Sequence, residues 1–82
     1  LQNIPNPFTA TTDIGFILPY EQNVTLRIMD VTGKVIHKES GKYTKGYNTI
    51  TLDVNSINAS GVLYYRIDTE RYSASKKMIV VK

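Results

Sequence analysis

The chain has 82 residues, a formal net charge of +3 at pH 7, no cysteine and no tryptophan. This length allows one domain with a thin core, and the lack of cysteine excludes disulfide scaffolds, zinc sites built on thiolates and haem attachment through cysteine. Ile, Val, Thr, Tyr and Phe far outnumber Leu, Ala, Glu and Met, a bias that predicts β-strands and argues against a helical bundle.

The first predicted elements are an extended leading segment and two strands. Residues 1–11 form the leading segment, because each proline in its Pro5-Asn6-Pro7 motif restricts both itself and the residue before it. Apolar residues then alternate with polar ones over Thr12–Leu18 and again over Val24–Asp30. This period of two predicts one strand in each run.

A hairpin and a loop are predicted in the middle of the chain. The run Asp30–Lys34 has the turn chemistry of a hairpin connection, with Gly33 at the position that needs a positive φ. A weaker strand is predicted at Lys34–Ser40. The glycines and lysines of Gly41–Gly46 predict a loop after it.

The second half of the chain predicts three strands and one corner. Apolar alternation predicts a strand at Tyr47–Val54, high apolar content predicts the next at Gly61–Thr69, and Tyr72–Val81 closes the domain. Between the first two of these lies Asn55–Ser60, a polar corner with Ile57 as its one apolar anchor.

Together with the leading segment, these elements make about seven short extended segments separated by turns. That spacing is typical of an antiparallel sandwich, and no window combines helical periodicity with helical composition. We therefore predict an all-β fold, an immunoglobulin-like antiparallel Greek-key β-sandwich. It forms a single domain of residues 1–82, with residues 72–82 as its last strand. Since the chain does not begin with Met, we expect it to be part of a longer protein.

The ionisable residues show no catalytic or metal-binding pattern. His37, the single histidine, has no nucleophile motif near it and is interpreted as a surface or half-buried strand residue. The aspartates lack calcium-loop spacing, and Asp30 and Asp53 are predicted to accept hydrogen bonds from turn N–H groups. We predict no enzyme activity, no cofactor and no metal site, while an adventitious calcium site at a loop end stays open.

Tyrosines and basic residues leave binding functions open. Tyr64 and Tyr65 are adjacent, so they must face opposite sides of one strand, and a sugar-stacking platform would need three tyrosines on one face. The late basic residues are too sparse for nucleic-acid recognition. They are interpreted either as charges that protect an edge strand from aggregation or as an attraction for an anionic partner.

Four stretches, in their order along the chain, resemble one bacterial family. They are Asn3–Phe8, Asp30–Lys34, Ser60–Ile67 and Lys76–Lys82. Each is a common pattern alone, but the four together, in register over the whole chain, resemble the C-terminal sorting domain of type IX secretion system cargo. Bacteroidetes-type bacteria carry this signal on their secreted proteins.

The resemblance implies an immunoglobulin-like sandwich at the end of a larger secreted protein, with no catalysis of its own. It implies a cargo domain earlier in the same chain, passage through the periplasm, and secretion or display at the cell surface. The implied partners are an outer-membrane translocon, a shuttle protein and a sortase that normally removes the domain. Binding to nucleic acid and spanning of the membrane are not expected.

The resemblance also implies which residues form the recognition site, from their positions in the family's motifs. Gly61 matches the glycine that opens the penultimate strand, and Pro5, Asn6 and Pro7 match the leading motif of the family. The expected recognition motif is the C-terminal run, whose residues are Lys76, Lys77, Met78, Ile79, Val80, Val81 and Lys82. One departure is Leu63, which stands where the family usually has tyrosine.

Two other functions stay open on the sequence alone. One is an immunoglobulin-like accessory or spacer module of a secreted bacterial enzyme, similar also to the sandwich domain of flagellar hook-capping proteins. The other is a carbohydrate-binding module that uses exposed tyrosines. Whatever the function, the last strand could be exchanged between two copies to form a dimer.

Overall fold

Six β-strands in two antiparallel sheets make up the domain in a computed structural model that describes residues 10–57 and 59–81. The strands are β1 (Thr11–Leu18), β2 (Gln22–Met29), β3 (Val35–Tyr43), β4 (Gly46–Asp53), β5 (Gly61–Asp68) and β6 (Ser73–Val80). Strands β1 and β4 form the smaller sheet, and the larger sheet has the order β3-β2-β5-β6. The prolines of the leading segment lie outside the described residues.

The two sheets pack face to face because each strand presents its apolar residues to one side. In β2 the inward side chains of Val24, Leu26 and Ile28 are buried, and the residues between them are not. One core cluster fills the space between the sheets; it comprises Ile14, Phe16, Leu18, Val24, Leu26, Ile28, Ile50, Leu52, Ile57, Leu63, Tyr65, Ile67, Met78 and Val80. The predicted immunoglobulin-like antiparallel sandwich is confirmed.

The hairpin between β2 and β3 forms as predicted. Gly33 has a φ of 88°, and its N–H donates to the carbonyl of Asp30 at 3.0 Å. The Asp30 carboxylate accepts from the Thr32 hydroxyl at 2.6 Å and from the N–H groups of Thr32 and Lys34 at 2.9 and 3.1 Å. These hydrogen bonds, the one from the Thr32 hydroxyl above all, lower the pKa of Asp30.

The predicted loop at Gly41–Gly46 is wrong in its bounds, because β3 continues to Tyr43 and β4 begins at Gly46, which leaves Thr44 and Lys45 as the connection. Its last residues pair with the start of β2, so that Gly41 lies opposite Val24 and Tyr43 opposite Gln22. The ring of Tyr43 also packs edge-to-face against Phe16 of the other sheet, with 5.3 Å between ring centroids. These contacts with distant parts of the chain outweigh the local turn composition.

The polar corner after β4 is a short 3₁₀ helix, Val54–Ser56, followed by the predicted anchor. Asp53 accepts a hydrogen bond from the N–H of Asn55 at 2.8 Å, and Ile57 is completely buried in the core. The described ranges contain no helix long and apolar enough to cross a membrane.

Candidate recognition surface

Strand β6 divides the expected recognition motif between its two faces. Met78 and Val80 point into the sandwich and are 0% and 2% exposed. Lys77 and Ile79 alternate with them and so lie on the outer face of the larger sheet, Lys77 exposed and Ile79 half-buried. A protein that binds the folded domain can therefore touch Lys77 and Ile79, whereas Met78 and Val80 act through the core.

The remaining members of the motif occupy different surroundings. Lys76 alternates to the inner face of β6, where it lines a groove of about 230 Å³ together with Tyr65 and Ile67 of β5. Val81 follows the strand and is exposed. Lys82 lies outside the described residues, as do Pro5, Asn6 and Pro7. The structure thus brings together only part of the set that the sequence analysis selected.

Gly61 begins β5 with a φ of 87°, a conformation that side-chain-bearing residues rarely adopt. A Cβ atom built at this position would meet nothing within 4 Å. Glycine is therefore required here by backbone conformation and not by crowding. Opposite it in the register lies Val80, so Gly61 sets the point where the terminal hairpin begins.

The outer face of the larger sheet holds further residues beside Lys77 and Ile79. In the β-register Tyr64 lies opposite Lys77, and Val62 lies opposite Ile79. On the other side of Tyr64 is Met29 of β2. Val62 and Tyr64 are 41% and 39% exposed. Sequence alternation could have placed them on an outer face, but only strand order brings Met29 next to them.

An ion-pair cluster occupies the same face and begins two residues after Tyr64 along β5. The Asp68 carboxylate contacts the Arg27 guanidinium at 2.6 Å and the Arg66 Nε at 2.9 Å. The Ser73 hydroxyl donates to the same carboxylate at 2.5 Å. The hydrogen bond from Ser73 has the largest effect in lowering the pKa of Asp68, and the two guanidiniums lower that pKa further. The cluster links strands β2 and β5 to the start of β6.

Comparison with known proteins decides the family of this chain. The model of the family described as the secretion system C-terminal sorting domain matches residues 3–81. The chain belongs to the type IX secretion C-terminal sorting domains. A comparison with curated protein sequences finds no significant match.

A solved structure shares the fold of this sorting domain. The crystal structure of dimeric latent PorU from Porphyromonas gingivalis matches with a TM-score of 0.78 and 23% sequence identity. The match covers 98% of this chain and 9% of that one. At this identity the similarity shows the fold alone, and the sorting domain spans only a small share of the longer relative.

Family membership makes the domain a C-terminal sorting signal of the type IX secretion system. The domain itself is non-catalytic, and its membership implies interaction with the secretion machinery and attachment to a cargo. It further implies export of the protein to the exterior or to the cell surface.

The polar residues of the sorting domain have ordinary structural partners. His37 lies 3.2 Å from the Glu39 carboxylate, two residues along β3. Among the described residues, no three His, Cys, Asp or Glu side chains are grouped so that they could hold a metal ion. Asp30 and Asp53 accept turn hydrogen bonds, which confirms the interpretation made from the sequence.

The tyrosines of the sorting domain are divided among several surfaces. Tyr65 is buried and Tyr64 exposed, as adjacent strand positions require. Tyr47 lies on the outer face of the smaller sheet and covers Gly15, where an added Cβ would come within 2.5 Å of the Tyr47 hydroxyl. Tyr43 packs against Phe16. Tyr43, Tyr47 and Tyr64 thus lie on three different surfaces and do not form a common sugar platform.

Proposed function

We propose that the sorting domain directs a cargo domain, placed before it in the same polypeptide, from the periplasm across the outer membrane. In this proposal an outer-membrane translocon and a shuttle protein bind it, and a sortase then removes it. The elements that they recognise are the C-terminal run from Lys76 to Lys82, the Gly61 turn and the leading motif Pro5-Asn6-Pro7. The observation that carries the proposal is the family match over nearly the whole chain.

The position of β6 supports a recognition role. Within the described part of the sheet β6 has one neighbour, β5, and forms the end of the strand order. An edge strand can offer its backbone groups to a strand of another protein, a common mode of recognition for extended segments. The side chains of Lys77 and Ile79 flank that edge on the outer face.

A reporter fusion tests the proposal. Residues 1–82 are fused behind an exported fluorescent protein and followed in cells with and without the type IX system. We expect surface display that depends on the system, and retention in the periplasm when Lys77–Lys82 are deleted. Because this deletion also removes the core residues Met78 and Val80, the variant Lys76→Glu/Lys77→Glu is compared with it. Normal display of the truncated fusion would refute the recognition role of the terminal run.

A second part of this proposal concerns the dimer that would form if two copies exchanged strand β6. The tight turn between β5 and β6 opposes exchange, because the Thr69 N–H donates to the Tyr72 carbonyl at 2.9 Å and the Thr69 hydroxyl accepts from the Tyr72 N–H at 3.1 Å. We therefore expect a dimer only at high concentration and a larger dimer fraction for Thr69→Ala. Light scattering checks this, and a monomeric mass for both proteins at every concentration would contradict it.

A further inference from the structure

We propose that the outer face of the larger sheet binds a protein partner that presents carboxylates next to apolar groups. This inference rests on the proposed function and names the surface through which the secretion machinery would hold the domain. It adds residues of β2, β3 and β5 to the terminal motif. The surface has two parts, a cation row (Lys38, Arg27 and Arg66) and an apolar patch (Met29, Val62, Tyr64 and Ile79).

The cation row crosses three neighbouring strands. Lys38 lies opposite Arg27 in the pairing of β3 with β2, and Arg27 lies opposite Arg66 in the pairing of β2 with β5. Like charges directly opposite one another destabilise a sheet. Asp68 offsets this repulsion between Arg27 and Arg66. The unfavourable contact is therefore the one between Lys38 and Arg27, and a function that needs positive charge at this place accounts for it.

Only part of this positive charge is neutralised within the domain. Asp68 is the one carboxylate that the described strands place on this face, and it is shared between Arg27 and Arg66. Lys38 has no ion pair in the part of the chain that the structure describes. An open depression of about 620 Å³ is lined by Arg27 and Arg66 and also by the carboxylates of Asp68 and Glu70. Lys38 lies outside this lining and is therefore the cation of the row that a carboxylate of a partner can best approach.

The opposite side of the molecule has the opposite charge. The outer face of the smaller sheet carries Asp13 and Asp53, alternating with hydroxyls such as that of Thr51, and its described strands place no lysine or arginine there. The strand cations are thus concentrated on the outer face of the larger sheet. Such an arrangement orients an approaching acidic partner toward one face of the domain.

The apolar patch begins directly beside the cation row. Met29 and Tyr64 occupy the next outward positions after Arg27 and Arg66, and Val62 with Ile79 lies beyond them. Here Val62 and Tyr64 are exposed and Met29 and Ile79 are half-buried, and adjacent apolar residues that reach the surface beside charged ones are typical of protein–protein contact sites. A purely anionic polymer would use only the cations and would leave the apolar patch without a contact. The combination therefore favours a protein.

Paired substitutions in the reporter fusion test the surface. Lys38→Glu is compared with Lys45→Glu in the turn before β4, and Val62→Glu is compared with Val31→Glu in the β2–β3 turn. Each pair makes the same chemical change at exposed positions. Lys38→Glu places a carboxylate opposite Arg27, so the fold should be at least as stable as that of the wild type. Its thermal unfolding temperature verifies this.

We expect Lys38→Glu and Val62→Glu to lower surface display at least about tenfold and both controls to stay within about twofold of the wild type. Display of all four at the wild-type level would overturn the surface and leave the proposed function intact. Failure of the wild-type fusion itself would overturn the proposed function and this inference with it.

A photo-crosslinking amino acid provides a second test, which introduces no new charge into the domain. It is placed at Val62 and, as a control on the opposite outer face, at Tyr47. We expect, in exporting cells, a discrete protein adduct from position 62 and none from position 47. Equal adducts from both positions, or a heterogeneous polysaccharide ladder from position 62, would overturn the proposal of a protein partner.

Discussion

At the residue scale, the occurrence of glycine at position 61 is explained by the conformation of the backbone there. The resemblance singled out Gly61 by its place in a motif, and the structure gives the physical reason for glycine, a φ of 87° with open space around the missing side chain. The preference for glycine at position 61 therefore follows from backbone conformation alone. The same local chemistry made the hairpin at Gly33 predictable from five neighbouring residues.

Gly61→Ala should lower the free energy of unfolding by about 1–2 kcal/mol, because a side chain is strained at this φ. Gly41→Ala is the matched control, since Gly41 lies within β3 and an added Cβ would make ordinary contact with Tyr43 at 3.4 Å. That change should stay within about 0.5 kcal/mol. Urea denaturation of both proteins measures the difference, and equal stabilities would show that a side chain at position 61 is not strained.

At the scale of the element, strand β6 combines two functions in alternate residues. Its inward residues complete the core, and its outward residues join the surface formed with Tyr64 and Val62. A motif that is continuous in sequence is therefore divided in space. Substitutions along β6 should fall into two classes that different measurements distinguish.

Met78→Ala should lower the free energy of unfolding by about 2–5 kcal/mol, because it leaves a cavity in the core. Met78→Leu keeps the volume and should cost less than about 1.5 kcal/mol. Lys77→Ala, on the exposed side, should change stability by no more than about 0.5 kcal/mol. Chemical denaturation gives all three values. A loss for Lys77→Ala as large as that for Met78→Ala would contradict the assignment of the two faces.

At the scale of the whole molecule, the carboxylate of Asp68 links three of the four strands of the larger sheet. Asp68 on β5 bonds to Arg27 on β2 and to Ser73 at the start of β6. It also offsets the repulsion between Arg27 and Arg66, which lie opposite each other in the sheet. The overall stability of the domain should therefore respond to the charge of this group.

The pKa of Asp68 is lowered in the folded domain, so the folded state binds a proton there less readily than the unfolded chain does. The stabilising effect is present above the ordinary pKa of 3.8 and is lost as the pH falls through the lower folded value. We expect the free energy of unfolding to fall more steeply below about pH 4 for the wild type than for Asp68→Asn. Asp13→Asn, which loses a carboxylate bonded to Thr51, is the control. Parallel curves for wild type and Asp68→Asn would refute this role.

The local parts of the fold could be predicted because their causes are close in sequence. Alternation predicted the buried faces of β1, β2 and β4, and turn chemistry predicted the hairpin at Asp30–Lys34. The end of β3 could not be predicted in this way. Gly41 and Lys42 have turn-like composition, and their extension depends on pairing with β2 and on the packing of Tyr43 against Phe16.

The sequence by itself determined the fold class, the family and the division of each strand into an inward and an outward side, because these follow from periodicity and from motifs. The tertiary structure alone decided which outward sides meet. Lys38, Arg27 and Arg66 are far apart in the chain and form a row only because β3, β2 and β5 are neighbours. Strand order depends on the packing of the entire core, and a surface built across strands is therefore visible only after the chain has folded.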